Sequence, residues 1–178
     1  MRIPVTDLVR SPGLTRRFVA EVIRRELDVS EGAWGPADEA LVSALDVDLE
    51  FEMLVEGLFA RGTVTFTTSM PCARCINDVR TVHAVPVAEL FADLRRVPER
   101  DELEPGYELH PEGFIDIEAL LRDAVLEVLP LRVLCDDACR GLCPVCGADL
   151  NSDDCGHGPS PVPDPRWAAL QGLRLPPG

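Results

Sequence analysis

Seven cysteines and one histidine are the residues of this chain whose types and spacing could do chemistry. Cys72 and Cys75 form a C-x2-C pair, and the other six donors crowd between positions 135 and 157. These six donors are Cys135, Cys139, Cys143, Cys146, Cys155 and His157. Structural zinc prefers thiolate and imidazole ligands, four around each ion. Eight donors therefore predict two structural zinc ions.

Two ways of sharing the donors between two ions are open. In the first, one ion has the local set Cys143, Cys146, Cys155 and His157, and the other ion has the remaining set Cys72, Cys75, Cys135 and Cys139. In the second, the two C-x2-C pairs bind one ion together, as in a zinc ribbon. The first partition is favoured because its local site closes a short loop at low entropic cost. A single site with spare thiols is a third possibility.

The C-x2-C spacing is shared with redox dithiols, which usually open a helix that lowers the thiol pKa. Cys72 and Cys75 instead lie between two strand-like runs, which favours a zinc knuckle at a hairpin tip. Catalytic zinc keeps an open position and usually has His or carboxylate ligands, whereas these donors are almost all thiolates. The sequence also has no phosphate-binding loop or nucleophile motif. We therefore expect no enzymatic activity and no catalytic residue.

Alternating patterns predict the strands that position the first pair. Residues 45–55 alternate apolar with acidic side chains, as expected for a strand with one buried face. Arg61-Gly62 predicts a turn, and strands follow over 63–69 and 79–90. Pro86 in the last of these predicts a sheet edge or a strand end.

The flanking segments are less regular. We expect an extended arm over 1–14, a strand over 15–27, a loop over 28–40 and a mobile acidic loop over 95–113. The clearest helix is predicted over 116–129, because its apolar residues recur at three- and four-residue spacing. Its apolar residues are Ile117, Leu120, Leu121, Ala124, Val125 and Val128. Asp116 is expected to cap this helix and Pro130 to end it.

These elements predict an α+β fold with a mostly antiparallel β-sheet and a packed helix. Residues 1–130 would form the core domain, which includes the acidic loop near 95–113. Residues 131–178 would form a cysteine-rich, zinc-stabilised C-terminal lobe and a Pro-rich tail.

Charge indicates the kind of partner. The chain has 31 Asp and Glu against 17 Lys and Arg, a formal net charge of −14. Nucleic-acid binders draw affinity from basic groups that displace counterions, so tight binding to naked RNA is not expected. An acidic protein instead suits a basic partner, such as a ribosomal protein. We expect no membrane or small-molecule partner.

The sequence has no apolar run of signal-peptide or membrane-span length. A cytoplasmic location is therefore expected. Thiols stay reduced there, which favours metal ligation over disulfides.

Six short motifs, spread from one end of the chain to the other, resemble the YceD family of proteins for large ribosomal RNA subunit accumulation. They are Ile3–Leu8, Cys72–Cys75, Ile115–Ile117, Leu129–Leu131, Gly141–Gly147 and Asp164–Leu170. The chain departs from the family pattern at Cys155-x-His157, where two cysteines are expected. The resemblance implies a bacterial role in 23S ribosomal RNA processing or accumulation. It also implies a link to a small zinc-binding protein of the large subunit.

The function predicted from these observations is non-enzymatic support of large-subunit assembly through protein contacts. Two other functions stay open. A zinc-dependent RNA-binding module would need a basic face with interleaved aromatic residues. A thiol redox or zinc-responsive factor would need a solvent-exposed Cys72 of low pKa.

Overall fold

One sheet dominates the part of the chain that the computed structural model describes, namely residues 1–11, 13–23, 27, 34–97, 106–158 and 166. Its strands are β1 (Arg2–Pro4), β2 (Thr15–Val22), β3 (Leu45–Met53), β4 (Gly57–Pro71), β5 (Asp78–Ala92), β6 (Tyr107–His110) and β7 (Phe114–Asp116). Their order across the sheet is β1-β7-β6-β5-β4-β3-β2. All neighbouring pairs are antiparallel except β5 and β6, which pair in parallel over two residues. The helices are α1 (Thr6–Arg10), α2 (Pro36–Ala40) and α3 (Glu118–Val128).

Strand β3 forms where the alternation is strictest. Its apolar residues are buried and its acidic residues point to the other face, so the predicted strand is confirmed over Leu45–Met53. The predicted turn at Arg61-Gly62 is wrong, because β4 runs through both residues and Gly62 pairs with Leu49. A Cβ atom at Gly62 would lie 2.0 Å from the Asp48 carbonyl oxygen. The glycine therefore allows β3 to approach β4 closely. The chain turns earlier, where the N–H of Leu54 donates to the Gly57 carbonyl at 2.8 Å.

Three predictions for flanking segments need correction. The arm over 1–14 contains β1 and the short helix α1, and the loop over 28–40 ends in α2. The acidic loop over 95–113 contains β6, because Leu109 is buried against Ile115 of β7. These elements are too short to leave a periodic signal. Residues 28–33, 98–105 and the tail beyond 158 (except Arg166) lie outside the described residues, and with them most of the Asp164–Leu170 motif.

Helix α3 covers the buried face of the sheet. Its buried residues are Leu120, Leu121, Ala124 and Val125, and they join one core cluster with the sheet residues Phe51, Phe66 and Phe91. The N-cap of this helix is Ile117 and has no side-chain cap hydrogen bond, so the predicted cap at Asp116 is wrong. Asp116 lies one residue earlier, and its side chain accepts the N–H of Glu118 at 3.0 Å. The helix ends at Val128, two residues before Pro130.

The long β4–β5 hairpin carries the first cysteine pair at its tip. All fifteen residues of each strand are paired, and Cys72 and Cys75 lie in the connection. Pro86 lies in the interior of β5, so the predicted strand end is wrong and the edge position is right. Beyond β4, β5 has a described partner strand only at Phe91 and Ala92. No helix in the described part of the chain is both long and apolar enough to cross a membrane.

Candidate metal centres

The first candidate centre joins the hairpin tip to the segment that follows α3. Its ligand atoms, the sulfurs of Cys72, Cys75, Cys135 and Cys139, all lie within 4.8 Å of one another. The Cys72 and Cys139 sulfurs are 3.8 Å apart, and those of Cys75 and Cys135 are 3.5 Å apart. A tetrahedral zinc–thiolate site with Zn–S bonds of about 2.3 Å has sulfurs about 3.8 Å apart. This donor set therefore fits one metal ion.

The second candidate centre is local to the lobe. Its donors are Cys143, Cys146, Cys155 and His157, and their ligand atoms also lie within 4.8 Å of one another. Cys143 is buried, whereas Cys146 and His157 are exposed. The structure thus groups the eight donors as in the first partition, and all seven cysteines are free thiols.

The first knuckle is a tight turn closed by its own backbone. The N–H of Arg74 points at the Cys72 sulfur at 3.4 Å, and the N–H of Ile76 donates to the Cys72 carbonyl at 2.9 Å. The residue after the second cysteine takes a positive φ, +65° at Ile76. Such a turn directs both sulfurs to the same side of the chain.

The second knuckle repeats this turn. The N–H of Val145 points at the Cys143 sulfur at 3.4 Å, and the N–H of Gly147 donates to the Cys143 carbonyl at 2.8 Å. Gly147 has φ +76°, which glycine adopts without steric cost. The predicted role of Gly147 in this turn is confirmed.

Hydrogen bonds set the acidity of the thiols. The backbone N–H of Cys75 and that of Arg74 lower the pKa of Cys72 to about 6. The N–H groups of Cys146 and Val145 likewise lower the pKa of Cys143 to about 6. One thiolate is therefore favoured in each cluster at neutral pH, and thiolate is the form that ligates metals.

The last protons of the first cluster are held more tightly. The neighbouring thiols of Cys139 and Cys75 raise the pKa of Cys135 to about 12. Thiolates this close repel one another, and a cation among them removes that repulsion, since a coordinating thiol is deprotonated by its metal. The electrostatics of the cluster therefore suit a bound cation.

Arg74 fastens the lobe to the hairpin tip. Its guanidinium donates to the carbonyls of Asp137 and Cys139 at 3.0 and 2.8 Å, and its own carbonyl accepts the N–H of Leu142 at 3.1 Å. A Cβ atom at Gly141 would lie 2.9 Å from that carbonyl. Gly141, with φ +76°, therefore lets the lobe backbone approach the first knuckle.

Two asparagines add to the site, Asn77 between the knuckle and the lobe and Asn151 within the lobe. The Asn77 amide donates to Asp149 at 3.0 Å, and the Asn151 amide points at the Cys139 sulfur at 3.4 Å. Our sequence reasoning missed Arg74, Asn77 and Asn151 as site residues. Neither their types nor their spacing marks them as partners. The contacts of Arg74 and Asn77 join segments 63 to 72 residues apart, and that of Asn151 spans 12 residues within the lobe.

The two histidines outside the metal prediction have ordinary surroundings. The His83 ring nitrogen lies 2.8 Å from the Thr68 hydroxyl, and His110 stacks on Phe114 at 4.1 Å. Neither histidine belongs to a candidate metal cluster of the described residues.

Comparisons with known proteins point to one family. A family model described as "Large ribosomal RNA subunit accumulation protein YceD" matches residues 60–174. This range contains both knuckles, α3 and the lobe. No solved structure matches the chain significantly.

Three curated relatives illustrate the range of similarity. An uncharacterized protein of Mycobacterium leprae is 31% identical over 97% of this chain and 76% of its own length. An uncharacterized protein of Mycobacterium tuberculosis is 41% identical over 71% of this chain, and the match spans 60% of the relative's length. A chloroplastic protein of Arabidopsis thaliana, named "Large ribosomal RNA subunit accumulation protein YCED homolog 1", is 43% identical over 25% of this chain and 14% of its own length.

Proposed function

Because this chain belongs to the YceD family of large ribosomal RNA subunit accumulation proteins, we propose that it supports accumulation of the large-subunit RNA as a non-enzymatic assembly factor. The family match is the observation that carries this proposal. The RNA concerned would be 23S ribosomal RNA, and the site of action the bacterial cytoplasm.

We further propose that the two clusters hold structural zinc. The support comes from their donors, seven thiols and one imidazole in two sets of four, each set within 4.8 Å. At the first cluster the sulfur separations of 3.5 and 3.8 Å also suit a tetrahedron. Zinc at the first cluster would join the β4–β5 hairpin to the lobe, and zinc at the second would fix the fold of the lobe itself. The division into a core over 1–130 and a lobe over 131–178 belongs to this proposal.

Protein purified without chelator under reducing conditions is expected to carry about two zinc ions per chain, because each set of four donors fills one tetrahedron. Elemental analysis of the purified chain measures this directly. A value near one would leave a single site with spare thiols, and a value of zero would end the metal proposal.

The partner proposed for this protein is a basic ribosomal protein or an assembling large subunit that displays one. The formal charge of −14 supports this choice. Bound zinc does not reverse the sign of the net charge. A zinc ion with four thiolates has a net charge of −2, and one with three thiolates and a neutral histidine has a net charge of −1. Naked RNA would therefore be repelled at long range.

The association experiment compares two forms of the large-subunit RNA. We expect the protein to co-sediment with purified large-subunit precursor particles near physiological salt and to bind isolated 23S ribosomal RNA only weakly, because the particles carry basic proteins and the naked RNA does not. Small-subunit particles are the control. Tight binding to naked RNA would favour an RNA-binding module instead, and no binding to either form would count against the assembly role.

The redox alternative has less support. Its nucleophile would be Cys72, whose pKa is low, but only 1% of this residue is exposed. Reactive redox cysteines are usually accessible to the disulfide or peroxide that they attack.

A further inference from the structure

Ile76 has an unusual backbone conformation. Among the residues that the structure describes, it is the one non-glycine residue with positive φ. The left-handed region is unfavourable for L-residues, and a β-branched side chain there is a true outlier. The second knuckle has Gly147 at the equivalent position, with nearly the same φ. The knuckle turn therefore dictates the conformation, and glycine would satisfy it better.

The isoleucine side chain makes few contacts inside the protein that could offset this strain. It is 66% exposed and does not belong to either hydrophobic cluster of the described residues. Its backbone N–H bond to the Cys72 carbonyl would be made by any residue at this position except proline. The turn requires the positive φ, but it does not require a residue that is strained by it. Backbone strain of this kind commonly marks a position used for function.

Ile76 lies beside the acidic lobe. Its neighbour Asn77 binds Asp149, and Arg74 in the same knuckle holds the carbonyl of Asp137. The described lobe residues 131–158 contain five aspartates against two arginines, a formal net charge of −3. The first knuckle, 72–77, adds the positive charge of Arg74. Two zinc ions and their seven thiolates would add −3 relative to neutral thiols, so the knuckle and the lobe together would carry −5. An exposed apolar residue bordered by charge resembles the centre and rim of a protein interface.

We propose that Ile76 is the apolar anchor of a docking surface for a basic protein segment. The surface comprises the tip of the first knuckle, 72–77, and the lobe beside it, 131–158. Its occupant would be a Lys- and Arg-rich polypeptide that places one apolar side chain against Ile76 and its charges against the lobe aspartates. This inference rests on the proposed function, because it identifies where the basic ribosomal partner binds.

The test immobilises the full zinc-loaded chain and exposes it to one mixture of proteins as the probe. The probe is the set of basic proteins released from purified large subunits by high salt. Ile76→Gly is expected to retain both zinc ions and a thermal midpoint no lower than wild type, because glycine relieves the strained φ. We also expect Ile76→Gly to capture about tenfold less of the basic protein than wild type does, because an interface anchor has been removed.

Two further variants isolate the role of the apolar side chain. Ile76→Leu keeps an apolar group in the same turn and should retain binding. Val82→Ser removes a side chain that is also exposed, 71%, but lies on β5 away from the knuckle. It should bind as wild type.

Three outcomes would overturn the docking surface. They are capture of the basic protein by Ile76→Gly within about twofold of wild type, an equal loss in Val82→Ser, and no capture by wild type. Each leaves the proposed function standing, provided that wild type still co-sediments with precursor particles. If wild type does not co-sediment with precursor particles, the proposed function itself is contradicted.

Discussion

Cys72→Ser is expected to remove one of two zinc ions and to lower the thermal midpoint of the whole core. The first cluster joins Cys72 of the hairpin tip to Cys139 of the lobe, across more than sixty residues of chain. Closing a loop of that length restricts the unfolded chain by about 4 kcal/mol in the chain-entropy model. At about 2–4 °C per kcal/mol for a chain of this size, the midpoint should fall by about 8–16 °C. Elemental analysis and calorimetry measure both effects.

Cys146→Ser is the matched control for Cys72→Ser. Its cluster closes a short loop inside the lobe, so the variant should lose the other zinc ion and loosen only the chain beyond about residue 140. The core midpoint should change by less than about 4 °C, because the loss is local. The double variant should hold no zinc. If both single variants lose the same ion and the double variant loses no more, Cys72 and Cys75 share their zinc with Cys143 and Cys146, and the grouping of donors is wrong.

Gly62→Ala is expected to destabilise the sheet by about 3 kcal/mol or more. The added Cβ would meet the Asp48 carbonyl oxygen at 2.0 Å, and φ is +153° at this position. A backbone oxygen cannot move away by a side-chain rotation. The strands β3 and β4 must therefore separate, at a place where both line the core. The midpoint should fall by about 6–12 °C.

Gly158→Ala is the control for Gly62→Ala, because an added Cβ there has no atom within 4 Å. Its free energy of unfolding should stay within about 0.5 kcal/mol of wild type. Urea unfolding of both variants gives the comparison. A loss below about 1 kcal/mol in Gly62→Ala would contradict the close β3–β4 approach and would restore the turn that the sequence suggests at Arg61-Gly62.

The sequence predicts well wherever a pattern is local and long. Strict alternation identifies β3, and helical spacing between Asp116 and Pro130 identifies α3 within two residues. Burial of one face imposes these periods on the sequence itself. The β6 strand and the helices α1 and α2 escape prediction, because four or five residues are too few to display a period.

Gly62 illustrates a different limit. Glycine is common in turns and also where two backbones approach, and nothing nearby in the sequence distinguishes these uses. The pairing of Gly62 with Leu49 depends on the register of β3 and β4, which the buried faces of both strands set together.

For the candidate metal centres, the sequence alone determined the chemistry of the donors and the two C-x2-C turns, because spacing within four residues fixes which sulfurs can face one ion. Only the tertiary structure decided which distant donors meet. It brings the tip of a hairpin of two fifteen-residue strands against the segment after α3. Arg74 binds the lobe backbone there, and Gly141 allows the close approach. Neighbours across such a distance result from the packing of sheet, helix and lobe, and no local pattern records that packing.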